Sequence, residues 1–187
     1  MTRAFASLIV AAAVLAGAGH AQAQGFNFMN GGATFFGGGS GPIPRTVVYF
    51  ASNYSPGTIV ISTAERRLYL VLPNGQALRY GIGVGRDGFR WGGVHRVSAK
   101  KEWPGWTPPA QMLARRRDLP RHMKGGIDNP LGARAMYLGS TLYRIHGSNE
   151  PETIGQAVSS GCFRMTNEDV TDLYDRVRVG ATVVVKN

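Results

Sequence analysis

Asn74-Gly75 stands between two β-rich runs, residues 67–72 (RLYLVL) and 77–84 (ALRYGIGV). An Asn-Gly pair accepts the positive φ angles of a tight turn, so the two runs are expected to form an antiparallel hairpin. Further β-rich stretches follow the same rule of short runs bounded by turn formers: 58–63 (TIVIST), 94–98, 135–138, 142–146 and 182–186 (TVVVK). The 135–138 and 142–146 runs flank Gly139-Ser140 and read as a second pair. Helical patterns are few. One begins at Thr107 or Pro108 and covers about 109–116. The other covers 167–177, where Val170, Leu173, Tyr174 and Val177 recur at i, i+3, i+4, i+7 behind an N-cap at Thr166 with Glu168 and Asp169 in its first turn. The expectation is a mainly β domain, a β-sandwich or partly closed barrel with a few short helices. Gly81, Gly83 and Gly85 are read as strand-end glycines, because no helix start follows them to complete a phosphate loop.

The N-terminal residues carry an address. Arg3 precedes an apolar run from Ala4 to about Ala18, too short to span a bilayer, and Ala21-Gln22-Ala23 is a cleavage signal. Residues 1–23 are therefore expected to be a secretory signal peptide, and no later run reaches transmembrane length. Residues 24–45, rich in Gly and Asn with scattered Phe, are expected to be a flexible linker, and residues 46–187 the folded domain. The formal net charge of the whole chain is +10. The leader holds one of the 21 basic residues and none of the 11 acids, leaving +9. A basic exported protein suits an acidic polymer, and no nucleic-acid motif is present. The single cysteine cannot pair within its own chain, so a free thiol in an oxidising compartment needs a reason, and reactivity is one.

That cysteine lies in the richest stretch, residues 142–169 (LYRIHGSNEPETIGQAVSSGCFRMTNED). His146 ends an apolar run, and Cys162 follows sixteen positions later. An imidazole can accept a thiol proton and then stand beside the thiolate as imidazolium. The two side chains meet only if the chain folds back between them, and the small and turn-forming residues of 148–161 suit that return. Gly161 permits close approach of backbone to a substrate. The N–H groups of Gly161 and Cys162 are candidates to stabilise an oxyanion. Arg164 is placed to favour the thiolate or to hold a substrate carboxylate. Spacing alone leaves the matter open, since a lone cysteine is more often a small buried hydrophobe. One Cys and four His (His20 among them, in the leader) offer no tight metal-ligand spacing, so no metal is expected.

The full pattern I-H-G-S-N-x-P-x-x-I-G-x-x-x-S-S-G-C-F-R-M closely resembles the signature of the L,D-transpeptidase catalytic domain family (YkuD-type, ErfK/YbiS-like). The resemblance extends to Asp128-Asn129-Pro130-Leu131-Gly132, to the Trp103–Pro109 block (WPGWTPP), and to the last helix and strand, about residues 55–187 in all. It implies Cys162 as nucleophile, His146 as general base and the Gly147 carbonyl as the partner that orients the imidazole. It implies an oxyanion hole from backbone amides of Ser160, Gly161 and Cys162. Arg164, Ser148, Asn149 and Ser159 are the expected substrate-binding residues. Two positions depart from the common pattern: Ser160 stands where many members have a second histidine, and Ser148 where many have Thr.

What the resemblance implies is an exported, periplasmic enzyme acting on peptidoglycan stem peptides without metal or organic cofactor. The thiolate would form a thioester with the third residue of a tetrapeptide, releasing D-Ala. The acyl group would pass to an amine of a second stem peptide, of a lipoprotein or outer-membrane protein, or of a free D-amino acid. Two alternatives stand beside it: an L,D-carboxypeptidase or endopeptidase using the same Cys and His, and a non-catalytic murein-binding module. The module has no need of both His146 and Cys162. Trp103 and Trp106 are balanced between groove lining and core plugs.

Overall fold

The computed structural model describes residues 41–187; the expected signal peptide and the expected linker up to residue 40 lie outside them. In chain order the elements are β1 (Thr46–Tyr49), β2 (Ile59–Ser62), β3 (Arg67–Val71), β4 (Gln76–Gly81), β5 (Val84–Gly85), β6 (Gly93–Glu102), α1 (Ala110–Arg115), β7 (Arg134–Leu138), β8 (Arg144–His146), a 3-10 turn (Pro151–Thr153), β9 (Ala157–Ser159), β10 (Phe163–Arg164), α2 (Asn167–Arg176) and β11 (Thr182–Lys186). Nine strands form one sheet in the order β1-β4-β3-β2-β11-β6-β7-β8-β10, and β5 pairs with β9 apart from it. Among the described residues the fold is mainly β with two short helices.

The Asn74-Gly75 hairpin joins β3 to β4, with φ +60° and +66° at the two turn residues. Pro73 has no N–H to give, and the Leu72 N–H donates to the Gln76 carbonyl instead, at 2.9 Å. β2 lies between β3 and the parallel β11, which buries Ile59, Val60 and Ile61 on both faces. The long β6 serves two partners. Residues 93–96 pair with β11, residues 97–102 with β7, and the register slips between Val97 and Ala99. A bulge there bends the strand. The two halves of the sheet then close on one core, Ile59, Leu68 and Tyr80 from one side meeting Met136, Ile145 and Phe163 from the other.

α2 begins where expected, the Thr166 hydroxyl accepting from the Asp169 N–H at 3.1 Å, and buries Val170 and Leu173. Its last carbonyls, Tyr174 and Val177, accept from the Lys100 ammonium at 2.5 and 2.7 Å. Ile43 packs over Gly81 and Gly155, and Arg45 pairs with Asp169 at 3.1 Å. These two residues, which the sequence reading assigns to the linker, thus lie against the fold.

The sequence misjudges some boundaries. The 77–84 run breaks at Ile82, because the chain leaves β3 there and β5 takes β9 as partner. The 142–146 strand starts only at Arg144, because the Thr141 hydroxyl donates to the Leu138 carbonyl and accepts from the Tyr143 N–H, which widens the turn. The 94–98 strand extends over ten residues. β9, β10 and the 3-10 turn have no signal in the sequence pattern.

Candidate active site

β8 and β10 run parallel and adjacent, with Phe163 opposite Ile145 and Arg164 opposite His146. Parallel neighbours need a long crossover, and residues 147–162 supply it through the 3-10 turn and β9. Ile145 and Phe163 are buried in the core. Strand alternation sends their neighbours to the other face, so Arg144, His146, Cys162 and Arg164 share one side. All four line a cleft of about 660 Å³, whose walls also include Trp106, Met112 and Leu142. Trp106 thus lines the groove; Trp103 is 45% exposed and plugs no core.

His146 is buried, and its Nδ1 lies 2.6 Å from the Gly147 carbonyl oxygen. A carbonyl only accepts, so Nδ1 carries the proton and Nε2 is left as the acceptor. Burial pushes the imidazole down to about 3, with Arg164 and Arg144 adding to the effect and the Gly147 bond opposing it. Neutral imidazole is therefore the resting form at neutral pH. The backbone at Gly147 is closely packed. A Cβ at Gly147 or at Gly132 would meet the Asn167 side-chain oxygen, which accepts from the Ala133 N–H at 2.8 Å. The sequence shows Asn167 only as the start of a helix and misses this role.

Cys162 is half-buried, its Sγ 3.9 Å from the Leu142 carbonyl. Burial pushes the thiol up, against the pull of the Arg144 and Arg164 charges and the Arg144 backbone N–H. Both groups thus rest neutral at neutral pH.

The loop before the thiol is tied from within. The buried Ser159 hydroxyl donates to the Cys162 carbonyl at 2.6 Å and accepts from the Gly161 N–H at 3.1 Å. Two expectations change here. The Gly161 N–H, expected in the oxyanion hole, is engaged by Ser159. Ser159, expected to bind substrate, serves the loop. Among the described residues, the Ser160 and Cys162 N–H groups have no acceptor.

Ser148 and Asn149 also depart from expectation. They line a separate hollow of about 470 Å³ at the start of α2, which contains neither Cys162 nor His146. The Ser148 hydroxyl accepts from the Glu150 N–H at 3.0 Å, and the Asn149 amide donates to the Asp128 carbonyl at 3.1 Å. Short polar side chains of this kind close turns onto nearby backbone more readily than they reach outward. Arg164 stays in the cleft, paired with Glu150 at 2.8 Å.

Trp91, Tyr143 and Phe89 complete the surroundings, and no sequence signal marks them. The Trp91 indole donates to the Gly161 carbonyl at 2.7 Å and stacks on Tyr143. Phe89 lines the cleft.

The YkuD model, L,D-transpeptidase catalytic domain, matches residues 56–185. The chain is 44% identical over 135 residues to a probable L,D-transpeptidase, YbiS, of Escherichia coli strain K12, an alignment covering 67% of this chain and 43% of that one. The chain thus spans less than half the length of that relative. A crystal structure from Brucella melitensis, named as a probable carnitine operon oxidoreductase, is 49% identical with a TM-score of 0.51, over 76% of this chain and 92% of that one. The activity in that name is that protein's own. Here Gly81, Gly83 and Gly85 lie at the ends of β4 and β5 with no helix after them, unlike the glycine turn that opens a dinucleotide-binding helix. An L,D-transpeptidase from Mycobacterium smegmatis superposes with a TM-score of 0.56 at 16% identity, over 70% of this chain and 58% of that one, a likeness of fold.

Proposed function

Because the chain belongs to the L,D-transpeptidase catalytic domain family, we propose that it is an exported peptidoglycan L,D-transpeptidase with Cys162 as nucleophile and His146 as general base. The observation that carries this reading is the His146 Nδ1–H held by the Gly147 carbonyl, which leaves Nε2 as a base in the cleft that also holds the chain's one thiol.

In the proposed reaction, Nε2 takes the thiol proton as Sγ bonds to the carbonyl carbon of the third stem residue. Negative charge grows on the carbonyl oxygen, where the Cys162 and Ser160 N–H groups are the available donors. The C–N bond to the terminal D-Ala breaks, and the imidazolium returns the proton to the departing amine. A thioester remains. An acceptor amine attacks it, loses a proton to His146, and the thiol is restored. Three basic side chains at the cleft, Arg115, Arg144 and Arg164, favour a carboxylate-bearing peptide. Export rests on the leader sequence. The acceptor is an amine of a stem peptide or of a lipoprotein or outer-membrane protein.

The test is product analysis by mass spectrometry of the protein without residues 1–23, incubated with disaccharide-tetrapeptide. A new peptide bond between two third residues, absent with Cys162→Ala, supports transpeptidation. Tripeptide and free D-Ala as sole products would assign water as the acceptor and make the enzyme a carboxypeptidase. No product and no covalent adduct would sink the enzymatic reading in favour of a murein-binding module.

A further inference from the structure

We propose that Trp91 is a positioning residue for the oxyanion donor: its indole fixes the Gly161–Cys162 peptide so that the Cys162 N–H is presented for acyl transfer. The proposal rests on the transpeptidase reading above and deepens it.

The Trp91 Nε1–H donates to the Gly161 carbonyl at 2.7 Å. The indole stacks on Tyr143 at 4.3 Å with 10° between planes, tilts against Phe163 at 5.3 Å, and meets His95 edge-on at 5.0 Å. Tyr143 also occupies the space where a Cβ of Gly161 would stand, and Gly161 holds φ at +107°. The indole and the phenol ring together therefore set a backbone conformation that only glycine adopts easily.

The consequence follows from the geometry of the peptide unit. In a planar trans peptide the C=O and N–H point in opposite directions. With the Gly161 oxygen tied to Trp91, the N–H of the same unit, which belongs to Cys162, points away from the indole. The neighbouring polar groups are engaged, the Gly161 N–H and the Cys162 carbonyl both on Ser159. The Cys162 N–H has no acceptor among the described residues. A hydrogen bond to the carbonyl also polarises the peptide and strengthens its N–H as a donor. Trp91 thus acts through the Gly161–Cys162 peptide and needs no contact with substrate.

The test separates acyl transfer from thiol reactivity. Attack on an amide or lactam carbonyl develops an oxyanion; alkylation by iodoacetamide does not. Trp91→Phe keeps an aromatic ring on Tyr143 and removes the donor. The expected result is a fall of about 10- to 100-fold in the rate of Cys162 acylation. The pH profile of iodoacetamide alkylation stays as in the wild type. Benzothienylalanine at position 91, which replaces only the N–H by sulfur, gives the same split if the Phe variant folds poorly. An acylation rate within threefold of the wild type overturns the proposal. So does an equal fall in acylation and alkylation, which would mean that Trp91 merely shapes the thiol's surroundings. A wild-type protein that alkylates but never acylates defeats the transpeptidase reading and this proposal with it.

Discussion

The imidazole of His146 is hydrogen-bonded to the carbonyl of the next residue, Gly147, at 2.6 Å, and the Asn167 side-chain oxygen fills the space beside the Gly147 Cα where a methyl group would stand. A base oriented by its own backbone is sensitive to small displacements of that backbone. Gly147→Ala would drive a methyl group into the Asn167 oxygen. It is expected to cost about 1–3 kcal/mol of stability by overpacking and to lower acylation far more than the stability loss accounts for. Thermal unfolding and acylation rates of the one variant, measured together, check both parts.

A second consequence concerns pH. Folded His146 protonates near 3, well below its ordinary 6.5. Between those values the unfolded chain binds a proton that the folded chain refuses. Stability attributable to His146 is therefore complete above about pH 6.5 and falls as the pH drops toward 3, by at most about 1.4 kcal/mol per pH unit. Unfolding free energies from pH 7 to pH 4 should decline more steeply for the wild type than for His146→Gln. Parallel slopes would contradict the assignment.

The raised thiol predicts the form of its reactivity. Because both Cys162 and His146 rest neutral, iodoacetamide alkylation should climb with pH into the alkaline range. A thiolate–imidazolium pair would instead give a plateau already present near pH 6. A plateau there would mean that the two groups exchange their proton before substrate arrives.

Ser159→Ala removes the hydroxyl that ties the loop before Cys162 from within, leaving the Gly161 N–H and the Cys162 carbonyl unpaired. The expected cost is about 1–3 kcal/mol, with kcat reduced and KM nearly unchanged. A large rise in KM alone would restore Ser159 as a substrate-binding residue.

Arg45→Ala examines the attachment of the preceding segment. Asp169 is buried, one of its oxygens has no partner among the described residues, and Arg45 holds the other. Burial pushes its carboxyl up, and Arg45 is the chief opposing influence. Losing the guanidinium should destabilise the fold by about 2 kcal/mol, below the range for a fully enclosed pair because Arg45 keeps some contact with water. Alkylation of Cys162 should be unaffected.

Much of this was legible in the sequence, for reasons that differ by residue. The Asn74-Gly75 hairpin, the Thr166 cap and the apolar face of α2 are local, and local chemistry decides them. His146 and Cys162 stand out through a long signature with fixed spacing. Ser159, Ser148 and Asn149, expected at substrate, hydrogen-bond to nearby backbone, because a short polar side chain in a turn-rich segment reads the same whether it faces a ligand or its own backbone. β9 and β10 are too short to show any periodicity and exist only through partners 73 and 18 residues away, Ala157 on Val84 and Phe163 on Ile145. Trp91 and Asn167 make their contacts with residues distant in the chain, Gly161 and Ala133 among them, which no pattern along the chain encodes.

The most direct test of the central claim is the intact mass of the protein after brief exposure to disaccharide-tetrapeptide, with peptide mapping of any adduct. The account predicts a gain equal to the donor less D-Ala, carried on Cys162, labile to hydroxylamine as a thioester is, and strongly diminished in His146→Ala. Turnover with no adduct on Cys162, or an adduct that forms as fast without His146, would contradict it.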